Sequence, residues 1–338
     1  MKHKVLLLMA IGIGVLIAMI MFIGPGQIES AIRMANIWYI ILAIIIQIFT
    51  YFLWTLRWSI TTDAVGISIK KWHLLPMLMV GMAINNITPS ARGGGEPVRA
   101  YILSKYSQTP FENSFATVIA DRGLDTFPFI VLSILTIISM VLFFKLPQWI
   151  VLALIIALII IVVVFFVAIF ISVDKNIAKR FTLWLVRIIK KISKKRSQKI
   201  EEKALEAIHG FQDSIRIMIK DKQVLYYGLP LSFFIWFMEI IRVYIVFSAF
   251  NADISLIIIA EVFVIASLIG LIPFLPGGLG AIDGIMIVLY SYAGVPPSIS
   301  AAATVVERLI SFWMTSIIGI AVIPYFGSTV IERISRKL

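Results

Sequence analysis

The sequence contains no cysteine, which excludes disulfides and thiolate metal centres. It has only three histidines, His3, His73 and His209, and no two of them stand at the spacing of a helical ligand pair. No metal and no cofactor is therefore expected. Charge is scarce as well: 14% of the 338 residues are Asp, Glu, Lys or Arg, against roughly a quarter in soluble domains. Hydrophobic residues make up 60%, and Val151–Ile171 passes without a single charge. Apolar runs beyond about 18 residues read as bilayer-spanning helices. The chain is expected to be an all-α polytopic membrane protein.

What charge there is leans positive, with 30 Lys and Arg against 18 Asp and Glu. Its location matters more than its sum. Residues 173–222 hold 14 of the cations and 6 of the anions, beside apolar spans. Such a cluster marks the cytoplasmic side and contacts anionic headgroups. Nucleic acid is not an expected partner; membrane lipid is. Within this stretch Phe181, Trp184, Leu185, Ile188 and Ile192, then Ile200, Ala204, Leu205, Ile208, Phe211 and Ile215, recur at helical spacing. Two amphipathic helices lying on the cytoplasmic face are predicted.

About six full spans are predicted, over 5–23, 36–58, 113–144, 148–172, 224–249 and 298–324. The first follows Met1-Lys2-His3-Lys4 and ends at Gly24-Pro25-Gly26, with no Ala-x-Ala-like site, so an uncleaved helix is expected. Two further apolar segments are interrupted. The first, 72–106, breaks at Asn85-Asn86-Ile87-Thr88-Pro89-Ser90-Ala91-Arg92-Gly93-Gly94-Gly95-Glu96-Pro97, and the second, 254–292, at Pro273-Phe274-Leu275-Pro276-Gly277-Gly278-Leu279-Gly280. Each limb is too short to span, so each segment is expected to be a re-entrant hairpin.

The two broken segments look related. The interval from Pro89 to Arg122 is nearly the same as that from Pro276 to Arg308. Ala116-Thr117-Val118-Ile119-Ala120-Asp121-Arg122 matches Ala303-Thr304-Val305-Val306-Glu307-Arg308 with a one-residue offset. One membrane domain built of two repeats, 36–144 and 224–324, is predicted. Counting sides from the basic stretch puts both termini in the cytoplasm and makes the first hairpin enter from the cytoplasm, the second from outside. That is an inverted repeat.

Charges inside predicted spans are costly unless paired or hydrated, and so mark candidate sites. Asp121-Arg122 and Glu307-Arg308 are consecutive pairs whose side chains diverge by about 100° on a helix, so each residue needs a partner elsewhere. Glu239 and Arg242, at i,i+3, are placed to pair locally. Asp121 and Asp125 share a face and need a cation or a proton between them, which makes Asp121 a possible proton-coupling site. Glu96 and Asp283 are further charge partners. Helix starts inside the membrane present free N–H groups to anions, and Gly94, Gly95, Gly277 and Gly278 let backbone approach a ligand closely or simply allow tight turns. Arg92, Arg99, Arg122 and Arg308 supply donors suited to a phosphate. The glycine run lacks the Gly-Lys-Ser/Thr ending of a nucleotide-binding loop.

Asn86-Ile87-Thr88-Pro89-Ser90, Gly93-Gly94-Gly95, Pro97-Val98-Arg99-Ala100-Tyr101 and Leu103, with Asp121-Arg122, Pro276-Gly277-Gly278-Leu279-Gly280 and Glu307-Arg308, resemble the flippase-like, lysylphosphatidylglycerol synthase transmembrane-region family. The family includes the flippase half of aminoacyl-phosphatidylglycerol synthases and membrane domains linked to archaeal dolichol-linked glycosylation. The resemblance implies movement of a phosphate-bearing lipid, a phospholipid or a polyprenyl-phosphate-linked one, between the leaflets of the cell membrane. Lysyl transfer is not expected, because no soluble catalytic domain follows before Leu338. Asp121 departs from the Glu common at that place in the family. Two other readings stay open: a membrane-embedded lipid-modifying enzyme with Asp121 or Glu307 as its working carboxylate, and an ion-coupled transporter of small anions.

Overall fold

A computed structural model describes residues 25–88, 93–143, 148–174, 197–270 and 278–326, with residues 17 and 21. Every element among them is helical. In order they are α1 Pro25–Met34, α2 Ile37–Ala64, α3 Lys71–Ile87, α4 Glu96–Ser107, α5 Phe111–Phe143, α6 Gln148–Val173, α7 Ser197–Lys220, α8 Leu229–Ala249, α9 Leu256–Gly270, α10 Ala281–Tyr292, α11 Pro297–Arg308 and α12 Thr315–Val322. A π-helical turn, Val224–Gly228, leads into α8, and a second, Leu309–Met314, joins α11 to α12. Five of the resulting helices, Ile37–Ala64, Phe111–Leu142, Val151–Val173, Val224–Ala249 and Pro297–Phe326, are long and apolar enough to cross a membrane. The sixth expected span, 5–23, lies outside the described residues, apart from 17 and 21.

The caps account for several boundaries. The Asn36 side chain accepts the Trp38 N–H at 3.0 Å and starts α2. Pro97 occupies the first turn of α4, where its missing N–H costs nothing. Gln108 closes α4 in a left-handed conformation, φ 56°. The expected end of the second span near Arg57 and Trp58 is wrong. Ser59, Thr61 and Thr62 each return their hydroxyl to a carbonyl three residues back, at 2.8–2.9 Å, and α2 runs on to Ala64. Arg57 is thereby carried inside a helix, where it is 2% exposed. Residues 25–34, which were given no element, form α1 and bury Ile28 and Ala31.

Each broken segment folds as two short helices. They are α3 and α4, of 17 and 12 residues, and α9 and α10, of 15 and 12. At about 1.5 Å per residue none reaches the roughly 30 Å of a hydrocarbon core. The two pairs enter the bundle from opposite ends. The Asn36 amide bonds the Ala249 carbonyl at 2.8 Å, which sets the start of α2 beside the end of α8. The α3–α4 pair hangs from the far end of α2, and the α9–α10 pair from the end of α8. Each pair also packs on the opposite half of the chain. Hydrophobic residues of α3 pack with Ile318 and Val322, while Val264, Ile265 and Leu268 of α9 pack with Phe129, Ile137 and Met140 of α5.

Of the two amphipathic helices predicted in the basic stretch, the first lies outside the described residues and the second is α7. It docks on the end of the bundle. Gln212 donates to the carbonyls of Ile171 and Asp174 at 3.0 Å each, and Arg216 donates to that of Val173 at 2.5 and 3.1 Å. These bonds satisfy carbonyls that the end of α6 leaves without helical partners.

Candidate functional site

Asn85 ties the end of α3 to the start of α4. Asn85 accepts the Gly95 N–H at 2.6 Å and donates to Glu96 at 3.1 Å. A Cβ on Gly95 would stand 1.9 Å from the Gly81 carbonyl oxygen, so only glycine lets the two limbs come this close. Glu96, fixed at the first turn of α4, receives Arg122 of α5 at 2.6 Å. The second turn has the same plan. Gly280, at φ 79°, gives its N–H to Asp283 at 2.7 Å, and Asp283 pairs with Arg308 at 2.8 Å. Arg122, counted from Phe111, and Arg308, counted from Pro297, stand equally far along α5 and α11. That distance is about three turns, a rise of roughly 16 Å.

The other halves of the acid–arginine pairs find long-range partners. Arg57 donates to Asp121 at 2.8 Å and to Asp125 at 2.7 Å, and Arg99 reaches the second oxygen of Asp121 at 3.1 Å. Arg242 pairs with Glu307 at 2.9 Å and also donates to Gln47. Sequence spacing had matched Arg242 with Glu239, but these partners lie on α11 and α2. The cation needed between Asp121 and Asp125 is Arg57, so Asp121 is doubly paired and is no longer the candidate for carrying a proton. Arg57 was missed because its helix was ended too early.

These contacts repeat along the chain. Arg57–Asp121 corresponds to Arg242–Glu307, and Glu96–Arg122 to Asp283–Arg308, with a nearly constant interval between matching positions. A reciprocal contact joins the halves: Arg57 of α2 reaches Ser232 of α8 at 3.5 Å, while Arg242 of α8 reaches Gln47 of α2. Gln47 precedes Arg57 by the same interval by which Ser232 precedes Arg242. Residue i touching j′ while i′ touches j is the mark of a two-fold relation.

Between the halves lies a cavity of about 130 Å³. That is room for on the order of ten waters. Five arginines (57, 99, 122, 242 and 308) and four carboxylates (Asp121, Asp125, Glu239 and Glu307) line it, with Trp54, Trp236, Phe263 and Phe312 among the apolar part. Arg122 and Asp125 are part exposed, with side chains at 28% and 27%. Stacking fixes two cations: Arg99 lies 4.1 Å over the Trp58 ring and Arg308 4.6 Å over that of Phe312. Three lining residues, Gln47, Arg99 and Arg242, each leave a buried N–H without a partner among the described residues.

Of the expected site residues, Arg99, Arg122, Arg308, Asp121, Asp125, Glu239, Arg242 and Glu307 line this cavity, and Glu96 and Asp283 stand behind it as ion-pair partners. Gly94, Gly95 and Gly278 belong to the two turns and do not line it. Arg92 and Gly277 lie outside the described residues. No cluster of metal-ligating side chains occurs among the described residues.

The family model described as lysylphosphatidylglycerol synthase TM region matches residues 7–319. A UPF0104 membrane protein of Methanothermobacter thermautotrophicus is 60% identical over the full length of both chains. Another, from Methanocaldococcus jannaschii, is 30% identical over 98% of this chain and 96% of its own. A third, from Pyrococcus horikoshii, is 28% identical over 94% and 95%. The chain belongs to the lysylphosphatidylglycerol synthase transmembrane-region family.

Proposed function

We propose that the protein moves a lipid with a phosphate-bearing headgroup between membrane leaflets, with the headgroup in the central cavity and the acyl or prenyl chains left in lipid. The observation that carries this is the cavity lined by five arginines. A guanidinium has five N–H donors, and a carboxylate partner engages only some of them. Arg122, part exposed to the cavity, can therefore offer donors to a phosphate while Glu96 holds it in place, and Arg308 stands at the equivalent point of the second half. The unpartnered N–H groups on Gln47, Arg99 and Arg242 favour an acceptor-rich, anionic occupant.

Transport is favoured over catalysis because both carboxylates that chemistry would call on are tied to arginines: Asp121 to Arg57 and Arg99, and Glu307 to Arg242. The regular interval between matching ion pairs supports an inverted repeat, with α3–α4 and α9–α10 as re-entrant hairpins. In this reading the protein sits in the cell membrane with its termini and residues 173–222 in the cytoplasm.

The test is movement of a labelled phospholipid in reconstituted vesicles. Arg122→Ala and Arg308→Ala are each expected to abolish it while the protein stays folded; wild-type rates in both variants would reject the site. Uptake of soluble phosphate without lipid movement would favour the small-anion reading, and conversion of the labelled lipid would favour an enzyme.

A further inference from the structure

Outside the central cavity, Glu261 of α9 has no counter-ion among the described residues. It is 3% exposed, and neither of its oxygens has a hydrogen-bond partner there. The Ser139 hydroxyl of α5 is near enough to act on it but does not complete a hydrogen bond. The charged groups of the helices packed on α9 face elsewhere. Asp121, Arg122 and Asp125 of α5 and Glu239 and Arg242 of α8 line the central cavity, and Asp283 of α10 holds Arg308. Glu112 of α5 sits near Gly210 of α7, and α6 has no ionisable side chain. Tyr292 shares a small void with Glu261, and Tyr290, also on α10, is buried against Phe247.

An ionised carboxylate in such surroundings is costly by far more than a proton's binding, so the group takes up a proton instead. A void of about 10 Å³ adjoins it, bounded by Met140, Ile258, Val262, Leu289, Tyr292 and Ala293. That is space for about one water, and Tyr292 at its rim is 64% exposed. Tyr292 thus stands between the void and the surface at the open end of the α9–α10 pair. The same helix carries Phe263, Ala266 and Ser267 into the wall of the central cavity. The offset that relates Arg122 to Arg308 relates Leu75 to Glu261, so only one half has this group.

We propose that Glu261 is a proton-binding site that couples protonation to the position of α9. As a neutral acid it lets α9 pack against α5 and α10. Loss of the proton to water in the adjoining void leaves a carboxylate in an apolar seam, which loosens α9 and with it one wall of the central cavity; uptake of a proton reverses the change. The coupling to lipid movement rests on the function proposed above, whereas the proton site does not.

Infrared titration of the purified protein is expected to show a protonated carboxylic-acid C=O band that disappears on raising the pH and is absent from Glu261→Gln. Hydrogen exchange in residues 256–270 is expected to quicken in the wild type as that band is lost, compared with Glu261→Gln at the same pH. A band that the substitution leaves unchanged, or deprotonation with no difference in exchange between the two proteins, overturns the proposal. In vesicles, lipid movement by the wild type should respond at least several-fold to an imposed pH gradient and that by Glu261→Gln should not; equal responses overturn the coupling. A protein that passes the infrared and exchange tests yet moves no lipid sinks the transport reading and leaves the proton site standing.

Discussion

Arg57 is held as tightly as any cation among the described residues, being 2% exposed and bonded to two carboxylates at 2.8 and 2.7 Å. Removing one member of a buried ion network leaves its partners desolvated and uncompensated, at a cost of about 3–5 kcal/mol. Arg57→Ala is therefore expected to lower thermal stability in detergent strongly. Arg122→Ala should do so far less, since Arg122 is part exposed and its partner Glu96 keeps Asn85. The contrast checks which arginines hold the fold and which are available to a ligand; equal losses would contradict it. A charge within an apolar stretch was legible as important wherever the helix boundary was placed correctly. At Arg57 it was not, because Ser59-Ile60-Thr61-Thr62-Asp63 looks like loop. In the fold it stays helical, with Ser59, Thr61 and Thr62 fully buried and their hydroxyls returned to helix carbonyls.

Among the helices the decisive contacts are made by backbone. Gly95→Ala would set a methyl against the Gly81 carbonyl, an obstacle no rotamer can relieve. A destabilisation of about 1–3 kcal/mol is expected from such overpacking. Gly123→Ala on α5 meets nothing within 4 Å and should be neutral or gain about 0.5–1 kcal/mol from helix propensity. Comparing the two melting shifts tests whether the α3–α4 turn depends on glycine for proximity. Gly81→Ala would instead press on the Arg99 side chain, 2.4 Å away. It is expected to impair lipid movement more than folding, read as transport rate against melting temperature. The broken hairpins were visible in the sequence as short apolar limbs around Gly and Pro. That Gly95 and Gly278 shape the turns rather than line the cavity was not, since close approach of two limbs depends on their packing.

For the whole molecule the prediction concerns sidedness. The chain has no cysteine, so single substitutions report without background. Lys105→Cys, at the open end of the α3–α4 pair, and Ser255→Cys, at that of the α9–α10 pair, are both exposed sites. In sealed vesicles an impermeant thiol reagent is expected to label them from opposite faces, with Lys105→Cys on the cytoplasmic side. Labelling from one face would end the inverted-repeat reading.

Composition and hydrophobic run length by themselves determined that the chain is helical and belongs in a membrane, because lipid leaves a backbone no other solvent-free solution along a single segment. Local breakers marked the two turns, and buried charge marked the helices that carry the site. Which charge meets which was decided only by tertiary structure. Arg57 and Asp121 are 64 residues apart, Arg242 and Glu307 are 65, and spacing along one helix can pair only neighbours three or four apart. Long-range partners exist because helices distant in the sequence, α2 with α5 and α8 with α11, pack side by side, a fact of packing that no single helix contains.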